Sequence, residues 1–182
     1  NRRWVVCGVL LCVMLSPLAE AAPRLAAVFG DQMVLQHGRP LAIWGWAQPG
    51  EKLRVEFANQ QVASRAADDG RWSVQLEPLE PNWEPRAMSV IGSTGVVTIK
   101  DILVGDVWLC GGQSNMDWKL RSTVNRDLEI ASADFRAIRF LRVPLTSRGA
   151  PQDDLPSALP NQQEGNWQTC TPQFVGNCTG VG

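Results

Sequence analysis

From Pro23 to Lys100 the sequence is cut into eight short segments rich in β-branched and aromatic residues, a pattern that leaves no room for long helices. The segments are LAAVF (25–29), MVLQ (33–36), LAIWGWA (41–47), KLRVEFA (52–58), QQVASRAA (60–67), RWSVQLE (71–77), RAMSVIG (86–92) and GVVTIKD (95–101). Turn-forming residues separate them: Gly30-Asp31, Gly38-Arg39-Pro40, Pro49-Gly50 and Asp68-Asp69-Gly70. Alternation is cleanest in KLRVEFA, where Leu53, Val55 and Phe57 share one face and Arg54 and Glu56 the other. Strands this short at this spacing predict an antiparallel β-sandwich, Ig- or jelly-roll-like, over residues 22–101. An apolar content of 45% is enough to give it a core. Trp44 and Trp46, grouped with Leu41 and Ile43, are expected to join that core rather than form a sugar-binding platform. His37, the one histidine, falls in the turn-like Gln36-His37-Gly38-Arg39-Pro40 and is expected to be solvated.

The first 21 residues have a different logic. Arg2 and Arg3 precede an uninterrupted apolar run of twelve, Trp4 to Leu15, and Ala19-Glu20-Ala21 puts small residues where signal peptidase cuts. A bilayer-spanning helix needs about 20 apolar residues, so the run reads as a signal peptide rather than a stable membrane anchor. Export to a periplasmic or extracellular location, with cleavage near Ala21, is expected. Cys7 and Cys12 would leave with the signal, and Cys110, Cys170 and Cys178 would remain in an oxidising-compatible compartment. Three cysteines leave one unpaired, and all three pairings stay open. Cys110, inside an apolar run, is expected to be a small core residue.

Beyond Lys100 the character changes. ILVGDVWLC reads as a strand buried on both faces, NRDLEIASA (125–133) as a short helix and AIRFLRV (137–143) as another strand. This order predicts the start of a βαβ unit, an α/β domain over residues 102–182 that is cut short. Seventeen basic and eighteen acidic residues give a net charge of −1, and no basic block exceeds the Arg2-Arg3 pair. Nucleic acid is therefore not an expected partner. No CxxC pair or histidine cluster suggests a metal site.

The apolar run ends in Gly111-Gly112-Gln113-Ser114-Asn115-Met116. A serine on a tight turn beyond a strand end presents its hydroxyl, and glycines permit such a turn. By itself this is weak evidence, and Met116 stands where a G-x-S-x-G elbow has its last glycine. The wider context is more specific. DVWLCGGQSNM closely resembles the nucleophile block of the sialate O-acetylesterase family, a branch of the SGNH hydrolases. FGDQMVLQHGRPLAIWGWAQPGEKLRVEF and ADDGRWSVQL resemble the N-terminal β-module of the same family, and the likeness runs from about Leu25 to Trp118, more loosely through Ile138-Arg139 and Trp167.

The resemblance implies that Ser114 is the nucleophile and that its backbone N–H supplies part of an oxyanion hole. Gln113 and Asn115 are carried as neighbours that shape the turn, at the substrate side. Gly111 stands where related sequences often have serine. The family's Asp-x-x-His pair and its further oxyanion donors are expected beyond residue 182, since no D-x-x-H occurs in the chain. The chain begins with Asn1 and stops mid-segment, so a piece of a longer gene product, inactive by itself, is expected. The implied function is removal of O-acetyl groups from sialic acid or a related acetylated sugar, with no metal or organic cofactor. Two other readings stand beside it: an acetylxylan-type esterase of the same fold, and a secreted, non-catalytic carbohydrate-binding β-module. Neither an oligomeric state nor the acetylated sugar is specified by these residues.

Overall fold

The computed structural model describes residues 22–144, 146, 149–156 and 165–180; the expected signal peptide lies outside them. The chain is mostly β. Strands β1 (Arg24–Leu25), β2 (Val34–Gln36), β3 (Leu41–Trp46), β4 (Lys52–Phe57), β5 (Gln60–Arg65), β6 (Arg71–Leu76), β7 (Asn82–Ile91) and β8 (Val96–Gly105) come first. Helix α1 (Arg126–Ser132), β9 (Phe135–Leu141), β10 (Trp167–Cys170) and the single turn α2 (Pro172–Val175) follow. Of the expected strand over 25–29 only Leu25 is retained, because Ala26 turns the chain: Phe29 N–H donates to its carbonyl at 2.9 Å.

β1, β3 and β6 form a three-stranded sheet, and β2, β8, β7, β4 and β5, in that order, a five-stranded one. Residues of both sheets share one buried cluster: Ile43, Trp72, Val74 and Leu76 from the first, and Val55, Phe57, Met88, Val90, Ile99 and Ile102 from the second. The predicted alternation of β4 holds, with Leu53, Val55 and Phe57 buried. Pairing is antiparallel except between β2 and β8, which run parallel with Val34 opposite Leu103 and Gln36 opposite Gly105. That exception brings the residues after β2 alongside those after β8.

The expectation for Trp44 and Trp46 is overturned. In β3 the buried positions are Leu41, Ile43 and Gly45, so the period-two pleat turns Ala42, Trp44 and Trp46 to the opposite face. Gly45 is needed on the inner face, where an added Cβ would lie 2.0 Å from the Arg24 carbonyl oxygen of β1. Outside, Phe29 meets Trp44 edge-on at 4.6 Å between centroids, and the Arg24 guanidinium sits 3.9 Å over the Trp46 ring. Trp83 is 78% exposed.

One carboxylate lies inside the module. Glu51 is buried and accepts hydrogen bonds from the Gln48 N–H, the Ser93 hydroxyl and both the N–H and hydroxyl of Thr94, at 3.0–3.3 Å. Burial pushes its pKa up, but the hydrogen bonds outweigh burial and hold it below its ordinary 4.5.

β8 continues through residue 101, where the sequence suggested a division, and its Ile102, Leu103 and Val104 are all buried. Asp101 adopts φ 57° and accepts a bidentate pair from Arg139 of β9, Nη1 at 2.9 Å and Nη2 at 3.0 Å. Trp167 Nε1 donates to the Val28 carbonyl at 2.8 Å. These contacts seat β9 and β10 against the β-module. The parallel βαβ start is not what forms among the described residues: β9 pairs antiparallel with β10 in a separate two-stranded sheet. β8 already lies between β2 and β7 in the five-stranded sheet, so neither of its edges is open to β9, which pairs instead with β10, the next strand in the chain. Ala133, Cys170 and Val175 make a second, small buried cluster beneath this ribbon.

Candidate active site

β8 ends at Gly105, and the next five residues leave the sheet. Val107, Trp108 and Leu109 are exposed, the last at 97%, so DVWLC is neither a strand nor buried. The apolar character was read correctly but not its burial, since no described element covers these side chains. Cys110 is likewise exposed rather than core, while Cys170 and Cys178 are buried, and all three thiols are free. Burial, and then the neighbouring Cys170, push the Cys178 thiol up to about 11.

The start of this excursion is anchored to β2. Val107 N–H donates to Gln36 Oε1 at 2.8 Å, His37 N–H donates to the Gly105 carbonyl at 3.0 Å, and His37 Nε2 lies 3.0 Å from Asp106 Oδ1. His37 is therefore a hydrogen-bond partner of Asp106 at the strand end rather than a freely solvated side chain. Its position follows from the parallel β2–β8 pair, a long-range pairing that local sequence does not reveal.

At Gln113 the backbone closes into one helical turn. The Gln113 carbonyl accepts from the N–H of Met116 at 3.0 Å and of Asp117 at 3.3 Å, and the Asn115 carbonyl from Trp118 at 3.2 Å. Ser114 sits at the head of this turn, exposed, and among the described residues neither its hydroxyl nor its N–H has a hydrogen-bond partner. Gln113 and Asn115 flank it, also exposed. The two glycines differ. A Cβ on Gly112 would lie 2.9 Å from the Met116 Cβ, whereas Gly111 faces open space. Gly112 thus allows the turn to pack against its own Met116, and Gly111 has room for a side chain.

The far side of the turn is tied down by contacts that sequence reading missed. Thr179 Oγ1 lies 3.7 Å from Met116 Sδ, Gly180 N–H donates to the Trp118 carbonyl at 2.8 Å, and Leu120 N–H donates to the Cys178 carbonyl at 3.0 Å. Asp117 pairs with Lys119 and, at 3.5 Å, with Arg142. The Lys119 hydrogen bond holds the Asp117 carboxyl below its ordinary range, against slight desolvation and with help from both cations. The Asp117–Lys119 spacing was visible in the sequence; the 176–180 tether, more than fifty residues away, had no local signal. No histidine or carboxylate is hydrogen-bonded to Ser114 among the described residues, and no group of three or more metal-ligating side chains occurs among them.

Comparison with known proteins adds the context. No protein-family model matches the sequence. The chain is 31% identical to a mouse (Mus musculus) protein named sialate O-acetylesterase over 163 residues, 82% of this chain and 30% of that one. It is 33% identical to the human (Homo sapiens) protein of the same name over 131 residues, 66% of this chain and 25% of that one. It spans less than a third of the length of these curated relatives. Among solved structures it resembles a carbohydrate acetylesterase from Xanthomonas citri with a TM-score of 0.81 at 32% identity, covering 87% of this chain and 35% of that one.

Proposed function

We propose that this chain, a homologue of the sialate O-acetylesterases, carries the nucleophile of a serine carbohydrate esterase. The observation that carries the reading is Ser114 itself. It heads an isolated helical turn with its hydroxyl and N–H unengaged, on a backbone path whose tight point is a glycine. Such a turn directs N–H groups toward the charge that develops on an attacked carbonyl oxygen.

In this mechanism Ser114 Oγ attacks the acetyl carbonyl carbon and its proton passes to a base from the rest of the protein. The sugar hydroxyl leaves with a proton, giving acetyl-Ser114, and water then releases acetate and restores the serine. The Ser114 N–H stabilises the oxyanion, and Gln113 and Asn115 border the entering sugar. Neither metal nor organic cofactor enters these steps. The two-sheet module is an Ig-like sandwich in this reading, residues after Gly105 open an SGNH-type α/β domain, and the protein is exported. The substrate is an O-acetylated sialic acid, with acetylated xylan the rival; no base is hydrogen-bonded to Ser114 among the described residues, and in this reading the stretch by itself is inactive.

The test is fluorophosphonate labelling of the intact protein. Adduct mass at Ser114, and its loss in Ser114→Ala, are expected; an intact protein that hydrolyses acetyl esters without labelling at Ser114 would sink the proposal. Acetate release from O-acetyl sialosides against acetylated xylan separates the two substrates. A non-catalytic carbohydrate-binding module is the second reading, favoured by the exposure of Trp44 and Trp83; it predicts neither labelling nor acetate release.

A further inference from the structure

The outer face of the three-stranded sheet lines a cavity that includes no residue of the Ser114 turn, and it is built in an unusual way. β3 turns two tryptophans outward, and the β3–β6 register sets Trp44 opposite Ser73 and Trp46 opposite Arg71. An open cavity of 470 Å³ lies there, within the ~300–1,000 Å³ range of small-molecule sites, lined by Trp44, Trp46, Ser64, Arg65, Arg71 and Asp153 among others. Its aromatic and charged groups are mixed rather than segregated.

The walls are braced. Arg24 lies over one face of Trp46, and Phe29 abuts Trp44, so both rings are held in place. Asp154 accepts the Ala27 N–H at 2.7 Å and pairs with Arg24, which ties the 149–156 segment beside the sheet and delivers Asp153 to the cavity. Asp153 in turn pairs with Arg71, which Asp69 holds from the other side at 3.3 Å. Arg65 donates to the Gly50 carbonyl at 2.8 Å and has no carboxylate partner among the described residues. A forked donor, a carboxylate and serine hydroxyls thus surround aromatic surface that the pleat could have given to small polar residues.

We infer that this face is a glycan-binding cleft, separate from the Ser114 turn. A pyranose ring presents an apolar C–H face and a rim of hydroxyls. Trp44 offers the apolar platform beside the Arg24-capped Trp46, while Asp153 accepts and Arg65 and Arg71 donate hydrogen bonds at the rim. An apolar ligand would leave those charges unsolvated, and an inorganic anion would make no use of the rings. The inference does not depend on Ser114 being a nucleophile.

The intact protein is titrated with a xylo-oligosaccharide and separately with sialyllactose, following calorimetric heat and tryptophan fluorescence. Saturable binding of either is expected, weakened about tenfold or more in Trp44→Ala, as loss of one stacking ring predicts. Asp153→Asn, in an exposed segment and so safe for folding, should weaken it several-fold. Leu128→Ala, at an exposed side chain outside both sites, should bind like the parent and hydrolyse p-nitrophenyl acetate at the parent rate. Binding of neither glycan, or parent-like binding by both Trp44→Ala and Asp153→Asn, overturns the cleft. Loss of hydrolysis in Ser114→Ala with no glycan binding leaves the esterase standing without it; the reverse result leaves the cleft without the esterase.

Discussion

Ile43 and Leu109 are both aliphatic residues in short apolar runs, yet Ile43 is fully buried and Leu109 almost fully exposed. Ile43 lies between two sheets that residues 22–105 complete among themselves. Leu109 belongs to a stretch whose neighbours, Val107 and Trp108, also face solvent. The contrast teaches that hydrophobic composition states a demand for burial, and only topology says whether the covering layer is at hand. It also separates two jobs: the β-module carries stability, and the stretch after Gly105 carries Ser114, the proposed nucleophile, on a turn held mainly by hydrogen bonds.

That division can be broken most sharply at Ser114. In the intact protein Ser114→Ala should cut acetyl-ester turnover by on the order of 10⁵- to 10⁶-fold, the scale seen when a hydrolase loses its serine. Its melting temperature should stay within error of the parent, because the side chain is exposed and unbonded. Stability should move the opposite way. Ile43→Ala should cost about 2–5 kcal/mol in urea unfolding, with little change per folded molecule in activity, whereas Leu109→Ala should stay within about 0.5 kcal/mol of the parent. An equal loss in both would erase the contrast.

The glycine pair sharpens it within the turn. Gly112→Ala should lower turnover roughly 10- to 100-fold by displacing the serine, and Gly111→Ser should leave it nearly unchanged. In thiol labelling of the native protein, Cys110 should react first and Cys170 and Cys178 only on unfolding, because burial pushes both of the latter upward and hides them. The smallest effect concerns Glu51. Its folded pKa lies below 4.5, so the stability it contributes is complete above that value and is lost as pH falls through the folded pKa. Glu51→Gln should flatten the acid limb of a stability–pH profile and leave the neutral limb without slope change.

Much of the fold was legible because alternation and turn residues are local signals. The strands over 33–36, 41–47, 52–58, 60–67 and 71–77, and the helix near 126–132, lie where the pattern places them. Trp44 and Trp46 show a different failure. Counting in twos from Ile43 puts both on the far face, and the weight given to aromatic burial overrode a phase that the sequence states plainly. Ser114 became a candidate through the extended block around it, and the structure sets it exposed at the head of a turn. The His37–Asp106 pair, the parallel β2–β8 ladder and the Cys178–Gly180 tether were not, because each joins residues far apart in the chain.

β8 has a practical corollary for anyone dissecting the protein with scissors. Its first half completes the five-stranded sheet, and its last residues, Ile102 to Val104, plug the same core while leading directly to Asp106. A clone ending at residue 101 would therefore be born with a hole, missing a β2 partner and the Asp101–Arg139 clamp at once. Graft designs that borrow the module should carry the chain at least to Gly105, and insertions meant to leave the module intact belong at the exposed Cys110–Gly111 step, not ahead of it.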